Sequence, residues 1–202
     1  MIDILASLAV YRRVTSDSYC LAGNTKDYND GNSMVKPFRF AWDGFPDVFI
    51  HASEETVKKH PAYLAAKTGD VESAAELVLE TLDDQVVLSM LEHFGSGSES
   101  PILISVHAEE AIGVNAIPEI MADILSYSLE WEIERLVVQA NVVNHTGASE
   151  FSRLARQAVF EGTIQPGNAY VIVDDFIGQG GTVANLRGHI LAQGGNVIGQ
   201  PR

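Results

Sequence analysis

The run Tyr170-Val171-Ile172-Val173-Asp174-Asp175-Phe176-Ile177-Gly178-Gln179-Gly180-Gly181-Thr182 passes from an apolar strand into two acids, a glycine-rich turn and a hydroxyl residue at the head of a helix. Four apolar residues in succession suit a strand buried on both faces. Gly178, Gly180 and Gly181 let the backbone approach a ligand closely. The N–H groups that open the following helix point at an anion, and the helix dipole favours negative charge there. The turn is therefore expected to cradle a phosphate. Asp174 and Asp175, at the strand end, can accept hydrogen bonds from sugar hydroxyls and help hold Mg²⁺, directly or through water. Ribose and phosphate would then be held side by side by one short peptide. Two other phosphate motifs fail against the letters. A Walker A loop requires a lysine that this turn lacks, and the dinucleotide fingerprint requires glycine where Val183 stands. The plainer alternative is a tight strand-to-helix turn with an acidic N-cap region.

Outward from this run the order is regular. Residues 101–107 read as a buried strand, 117–129 as a helix, 135–140 as a second strand, 182–193 as a helix and 196–198 as a short last strand. Strands alternating with helices predict an α/β fold, a Rossmann-like three-layer core with a mostly parallel sheet and ligands at the carboxyl ends of its strands. Function is then expected in loops 107–116, 141–160 and 174–182. Upstream, 61–67 and 71–94 have helical spacing, with Ala74, Leu77, Val78, Leu82, Val86 and Leu91 in one stripe before a Gly95-Ser96-Gly97-Ser98 stop. Residues 1–59 have no long periodicity, and 25–33 is rich in turn formers. Phe38, Phe40, Trp42, Phe45 and Phe49 follow, with 38, 40 and 42 alternating as on a strand. We expect a core domain over 60–202 and an N-terminal extension over 1–59. The aromatics of that extension either pack on the core or form a hood that stacks a flat ring.

Composition narrows the partners. The 202 residues carry 27 acids against 13 basic residues, a formal charge of -14, which repels nucleic-acid backbones and anionic membranes. A small anionic ligand remains compatible if a metal ion and backbone N–H groups offset that field. Cys20 is the single cysteine, so no internal disulfide forms, and the six histidines lack paired metal-ligand spacing. The apolar start is broken by Asp3 and followed by Arg12 and Arg13, the reverse of a signal peptide, and no run approaches the roughly 20 apolar residues of a membrane span. These features read as cytosolic.

The segment from 171 to 182 resembles the phosphoribosyl pyrophosphate motif of type I phosphoribosyltransferases, in which an apolar strand precedes two acids and a small, glycine- and threonine-rich loop. The resemblance implies binding of 5-phosphoribosyl 1-pyrophosphate (PRPP) with Mg²⁺, transfer of phosphoribose to a nitrogenous base in nucleotide metabolism, and a homodimer. Asp174 and Asp175 would contact the ribose hydroxyls, with Asp175 catalytic and both acids near the metal through ribose or water. Phe176, Ile177, Gly178, Gln179, Gly180, Gly181 and Thr182 would wrap the 5′-phosphate. The likeness extends over about 60–199. Ala108, Glu109, Glu110, Ala111, Ile112 and Gly113 occupy the place of the family's pyrophosphate loop, but with two glutamates and no Lys or Arg, so pyrophosphate would rely on backbone donors and metal. Residues 141–160 match the position of the mobile catalytic loop, and Thr146, Arg153, Arg156 and Phe160 look like those of a competence-associated branch. Arg153 and Arg156, three apart, share a helical face. They close over pyrophosphate and neutralise the leaving group, or they are a solvated face pairing with Glu150 or Glu161.

His107 and His145 lie in or beside these loops and are expected to be solvated rather than catalytic. Lys67 could reach a phosphate but reads more simply as a surface lysine. The last expected strand ends close to Arg202, where the family usually continues with residues that cover the base; cover is expected from 1–59, or the acceptor site is incomplete. An enzyme is the leading expectation. A non-catalytic sensor of PRPP or a nucleotide on the same fold is the alternative, and a sugar-phosphate kinase or phosphatase is a weaker third reading.

Overall fold

A computed structural model of the protein describes residues 46–95, 97, 100–106, 109–110, 113–140, 158–176 and 180–201, all within the unit Pro37–Arg202. In chain order the elements begin with β1 (Val48–Phe49), α1 (Glu54–Lys59), α2 (Tyr63–Lys67), α3 (Val71–Thr81), α4 (Asp84–Phe94), β2 (Ile102–Ser105), β3 (Glu109–Glu110) and β4 (Gly113–Val114). They continue with α5 (Ile117–Leu129), β5 (Ile133–Glu134), β6 (Val138–Gln139), β7 (Phe160–Glu161), β8 (Ala169–Val173), α6 (Gly181–Ala192) and β9 (Asn196–Pro201).

The main sheet has the order β1-β9-β8-β2-β5, and every pairing in it is parallel. This is the expected α/β architecture with a parallel sheet. Parallel strands bury both faces, so β2 and β8 are apolar at nearly every position of either parity. Ile102, Ile104, Tyr170 and Ile172 meet Val183, Leu186 and Ile190 of α6 in one cluster. Leu103, Val171 and Val173 have the opposite parity and are fully buried on the other face, against α5. There Ile117, Ile120, Met121 and Leu125 are fully or almost fully buried as well. Each such side chain stabilises the fold by about 1.5–3 kcal/mol.

Three elements differ from their sequence reading, each for a local reason. The helix expected over 71–94 is two helices, because Asp83 accepts a hydrogen bond from Gln85 N at 2.9 Å and caps α4 afresh. The strand expected over 135–140 shrinks to Val138–Gln139, with a separate strand just before the expected span. Ile133–Glu134 joins the main sheet beside β2, whereas Val138–Gln139 pairs antiparallel with Phe160–Glu161. Between them Glu134 Oε1 takes the Leu136 N–H at 2.8 Å, which satisfies by a side chain a donor that a continuous strand would give to its neighbour. Finally, α1 precedes the helices expected, with Ser53 Oγ accepting from Thr56 N at 3.1 Å, acids in the first turn and lysines in the last. Of the aromatic segment, Phe49 packs edge-on against Phe94 at 5.4 Å; Phe38, Phe40, Trp42 and Phe45 lie outside the described residues.

Gly199 on β9 lies under that aromatic layer. A Cβ there would stand 2.9 Å from Cε2 of Phe94 and closer still to its Cζ. The ring is held edge-on by Phe49 and by Trp131, at 6.1 Å, and cannot swing freely. Gly199→Ala is expected to lower stability by about 1–3 kcal/mol through overpacking, read as a fall in the chemical-denaturation midpoint.

Candidate functional site

The site is built at the carboxyl edge of β8. Val106 N donates to Val173 O at 2.9 Å, so the exit of β2 runs directly beside Asp174. The chain then makes the small antiparallel hairpin of β3 and β4, which holds Glu109, Glu110 and Gly113 of the expected pyrophosphate loop. Motif acids and loop therefore issue from adjacent strands, the placement that open α/β sheets use for ligands.

Asp174 and Asp175 are both buried, at 8% and 5% exposure. Asp174 Oδ1 accepts the N–H of Asp175 at 2.9 Å. Burial holds the Asp174 carboxyl well above the ordinary carboxylate range, and the negative charge of Asp175 and a side-chain hydrogen bond with it push the same way. The bond from the Asp175 N–H and the Lys67 ammonium oppose the shift without cancelling it. A group held against its own ionisation at a strand end is the kind of side chain that functional sites collect.

Beyond the acids, Gly180 adopts the left-handed conformation at φ 68°, and α6 starts at Gly181 with no side-chain cap on its N-terminus. Among the described residues no side chain caps these first N–H groups, the arrangement in which water or a ligand can take them. A Cβ at Gly181 would meet nothing within 4 Å among the described residues. Thr182 is half-buried in the first turn of the helix.

The other side of the acids is formed by α1 and α2, which the motif itself does not announce. Lys67 Nζ lies 3.0 Å from Asp175 Oδ2, with the two side chains only 18% and 6% exposed. Lys67 is thus an enclosed partner of a motif acid rather than the surface lysine expected. Phe176 is held edge-on by Tyr63 at 6.4 Å, and Lys58 Nζ stands 5.6 Å from its ring centre. The end of α2 also touches the hairpin. Ala116 N donates to Ala66 O at 3.2 Å, and Gly69, at φ +99°, brings its backbone so close that a Cβ would lie 3.1 Å from Val114 O.

The structure brings together Asp174, Asp175, Phe176, Gly180, Gly181 and Thr182, with the backbone of Glu109, Glu110 and Gly113 on the neighbouring loop. Ala108, Ala111, Ile112, Ile177, Gly178, Gln179, Arg153 and Arg156 lie outside the described residues, as do His107, His145 and Thr146. The stretch that carries both arginines leaves and re-enters through the β6–β7 pairing, where Ala140 N donates to Val159 O at 2.7 Å. Among the described residues no three His, Cys, Asp or Glu side chains converge as a metal site, and no helix is long and apolar enough to cross a membrane.

Fold and site together define an α/β protein with a parallel sheet, an acid pair at the end of a central strand and an uncapped helix beyond it. No family model matches the chain. It is 39% identical over 167 residues to a protein named TraN from Escherichia coli, an alignment covering 83% of this chain and 37% of that protein. It is 36% identical over 156 residues to an uncharacterized protein of Haemophilus influenzae, covering 77% of this chain and 34% of that one. The chain spans about a third of the length of these curated relatives. Among solved structures, adenine phosphoribosyltransferase from Leishmania tarentolae is similar at 14% identity and a TM-score of 0.40, over 77% of this chain and 76% of that one. The adenine phosphoribosyltransferase of Leishmania donovani is similar at 15% identity and the same TM-score, over 77% of this chain and 70% of that one.

Proposed function

We propose that this chain binds PRPP together with Mg²⁺ and transfers its phosphoribose to a nitrogenous base. The observation that carries the reading is the buried Asp174–Asp175 pair followed, across the left-handed Gly180, by the uncapped head of α6. In it, the acids accept the ribose hydroxyls and the N–H groups opening α6 take the 5′-phosphate. The pair also suits Mg²⁺. Two hard carboxylates in a buried setting would be relieved by a dication, and Mg²⁺ ordinarily completes its shell with substrate oxygens and water rather than with a protein cage. When bound, the ion supplies neutralisation of the pyrophosphate charge. The chain's own residues position the sugar and exclude water from it. In the transfer, the lone pair of the base nitrogen forms the bond to the anomeric carbon. The carbon–oxygen bond breaks with its electrons on the pyrophosphate, and the nitrogen's proton passes to solvent. Arg153 and Arg156, on the stretch anchored by β6 and β7, are assigned to the charge that develops on the leaving group.

Calorimetry of PRPP with and without Mg²⁺ tests this directly, on the wild type and on Asp174→Asn/Asp175→Asn. Metal-dependent binding that the double variant loses is the expected result, and no binding by a folded wild type overturns the reading. Pyrophosphate release in the presence of candidate bases then separates an enzyme from a sensor. An enzyme releases it and slows when Arg153 or Arg156 becomes alanine, whereas binding without release means a sensor.

A further inference from the structure

We infer that Lys67 is the cation that receives the pyrophosphate group of the ligand, replacing the basic residue absent from loop 108–113, with Asp175 as its counter-ion in the unliganded protein. The inference rests on the ribose-phosphate reading of the acid pair and adds to it a residue from outside the motif.

Three observations converge on this lysine. The first is charge. Glu109 and Glu110 make the loop acidic, and Arg135 is the sole basic residue between Lys67 and Arg153. Arg135 is spent on Asp123 and Glu119 at α5. Apart from the metal and the arginines assigned to the leaving group, a cation beside the loop has to come from another element. The second is position. Lys67 holds Asp175 Oδ2 at 3.0 Å, while its neighbour Ala66 accepts from Ala116 N just past the hairpin, and Gly69 closes on Val114. The residue therefore stands between the motif acids and the loop, where the anomeric carbon and its leaving group would lie if Asp175 holds the ribose.

The third is enclosure. An ion pair this sheltered gains little net stability, because desolvation of both charges offsets their attraction, so stability alone does not account for placing it here. An ammonium has three donors on a flexible stem and can bridge a carboxylate and a phosphate oxygen together. Lys58, near the Phe176 ring, is itself paired with Glu54, so Lys67 is the lysine of these helices that reaches the motif acids.

The test compares two probes, PRPP and ribose 5-phosphate, each titrated by calorimetry with Mg²⁺ against the wild type, Lys67→Met and Lys67→Arg. If Lys67 receives pyrophosphate, Lys67→Met weakens PRPP by about ten- to a hundred-fold, the worth of a charge-assisted contact, and leaves ribose 5-phosphate within about two-fold. Lys67→Arg then keeps the preference for PRPP. A lysine that only neutralises Asp175 gives a different result: both probes change together, or neither does, and the inference is overturned. Where Lys67→Met does not stay folded at the titration temperature, Lys67→Gln takes its place with the same two outcomes. Failure of both probes to bind the wild type overturns the ribose-phosphate reading itself, and this inference with it.

Discussion

Asp174→Asn is expected to melt higher than the wild type at pH 7.5 while losing ribose-phosphate binding. The side chain is 8% exposed, and its carboxyl is held well above the ordinary range by burial first and by the charge of Asp175 second. An amide of the same shape keeps an oxygen to accept the Asp175 N–H and removes the charge that is costly to bury. The gain should be about 1–3 kcal/mol, or roughly 2–12 °C in melting temperature for a domain of this size. The sign of the pH dependence follows from the raised folded value. Above about pH 4 an unfolded Asp174 has released its proton while the folded one still holds it. Folding then binds a proton, so the wild type loses stability as pH rises from about 4 through the raised folded value. The amide of the variant would have nothing to release. Melting curves in EDTA from pH 4.5 to pH 8 should diverge steadily, with the variant increasingly ahead. Parallel curves, or a variant that melts lower at pH 7.5, would mean that Asp174 is already compensated in the fold. At a purely structural position the same substitution would leave ligand binding alone. In the proposed site it places amide hydrogens where the carboxylate would accept sugar hydroxyls, and PRPP binding should then weaken at least about ten-fold.

How much of this was legible in the sequence depends on how local each feature is. The β8–α6 unit was readable because apolar strand, acids, glycines and helix all fall within one continuous run, and the parallel sheet followed from strands alternating with helices. The helix break at Asp83 and the cap at Ser53 were also local. Both signals stood in the letters, masked by a longer helical stripe in one case and by the lack of periodicity before residue 60 in the other. The shrinkage of the 135–140 strand to Val138–Gln139 was not legible from alternation, since Glu134 breaks the ladder with its side chain while the apolar pattern runs on through Leu136 and Val138. The Lys67–Asp175 pair lay further out of reach. Its members are 108 residues apart, and such a contact leaves no period, spacing or composition to read. The motif pointed to the acids and gave no hint of the wall of helices α1 and α2 that encloses them.

Gly162→Ala is expected to cause the largest loss of stability, about 3–5 kcal/mol, combining a strained backbone with a collision that has no flexible partner. Gly162 follows β7 at φ +119°, a conformation that side-chain-bearing residues rarely adopt. A Cβ there would stand 2.8 Å from Cα of Val137 and 2.9 Å from the carbonyl carbon of Leu136, and would press on Leu136 O as well. All three atoms are backbone, and Val137 is itself 3% exposed in the core cluster with Ala158 and Phe160. The strand pair must therefore part rather than a side chain rotate. Gly162 O also accepts from Gln193 Nε2 at 3.1 Å, so movement here loosens the tie to the end of α6. The consequence reaches function because Val138–Gln139 and Phe160–Glu161 join the two ends of the stretch that holds Arg153 and Arg156. Chemical denaturation should show the fall in midpoint at unchanged slope. At a temperature where the variant remains folded, pyrophosphate release should fall further than PRPP binding does, because the acid pair is left in place while the base of the arginine-bearing stretch is displaced. A variant that denatures at the wild-type midpoint would show that the β6–β7 junction has room that its backbone distances deny.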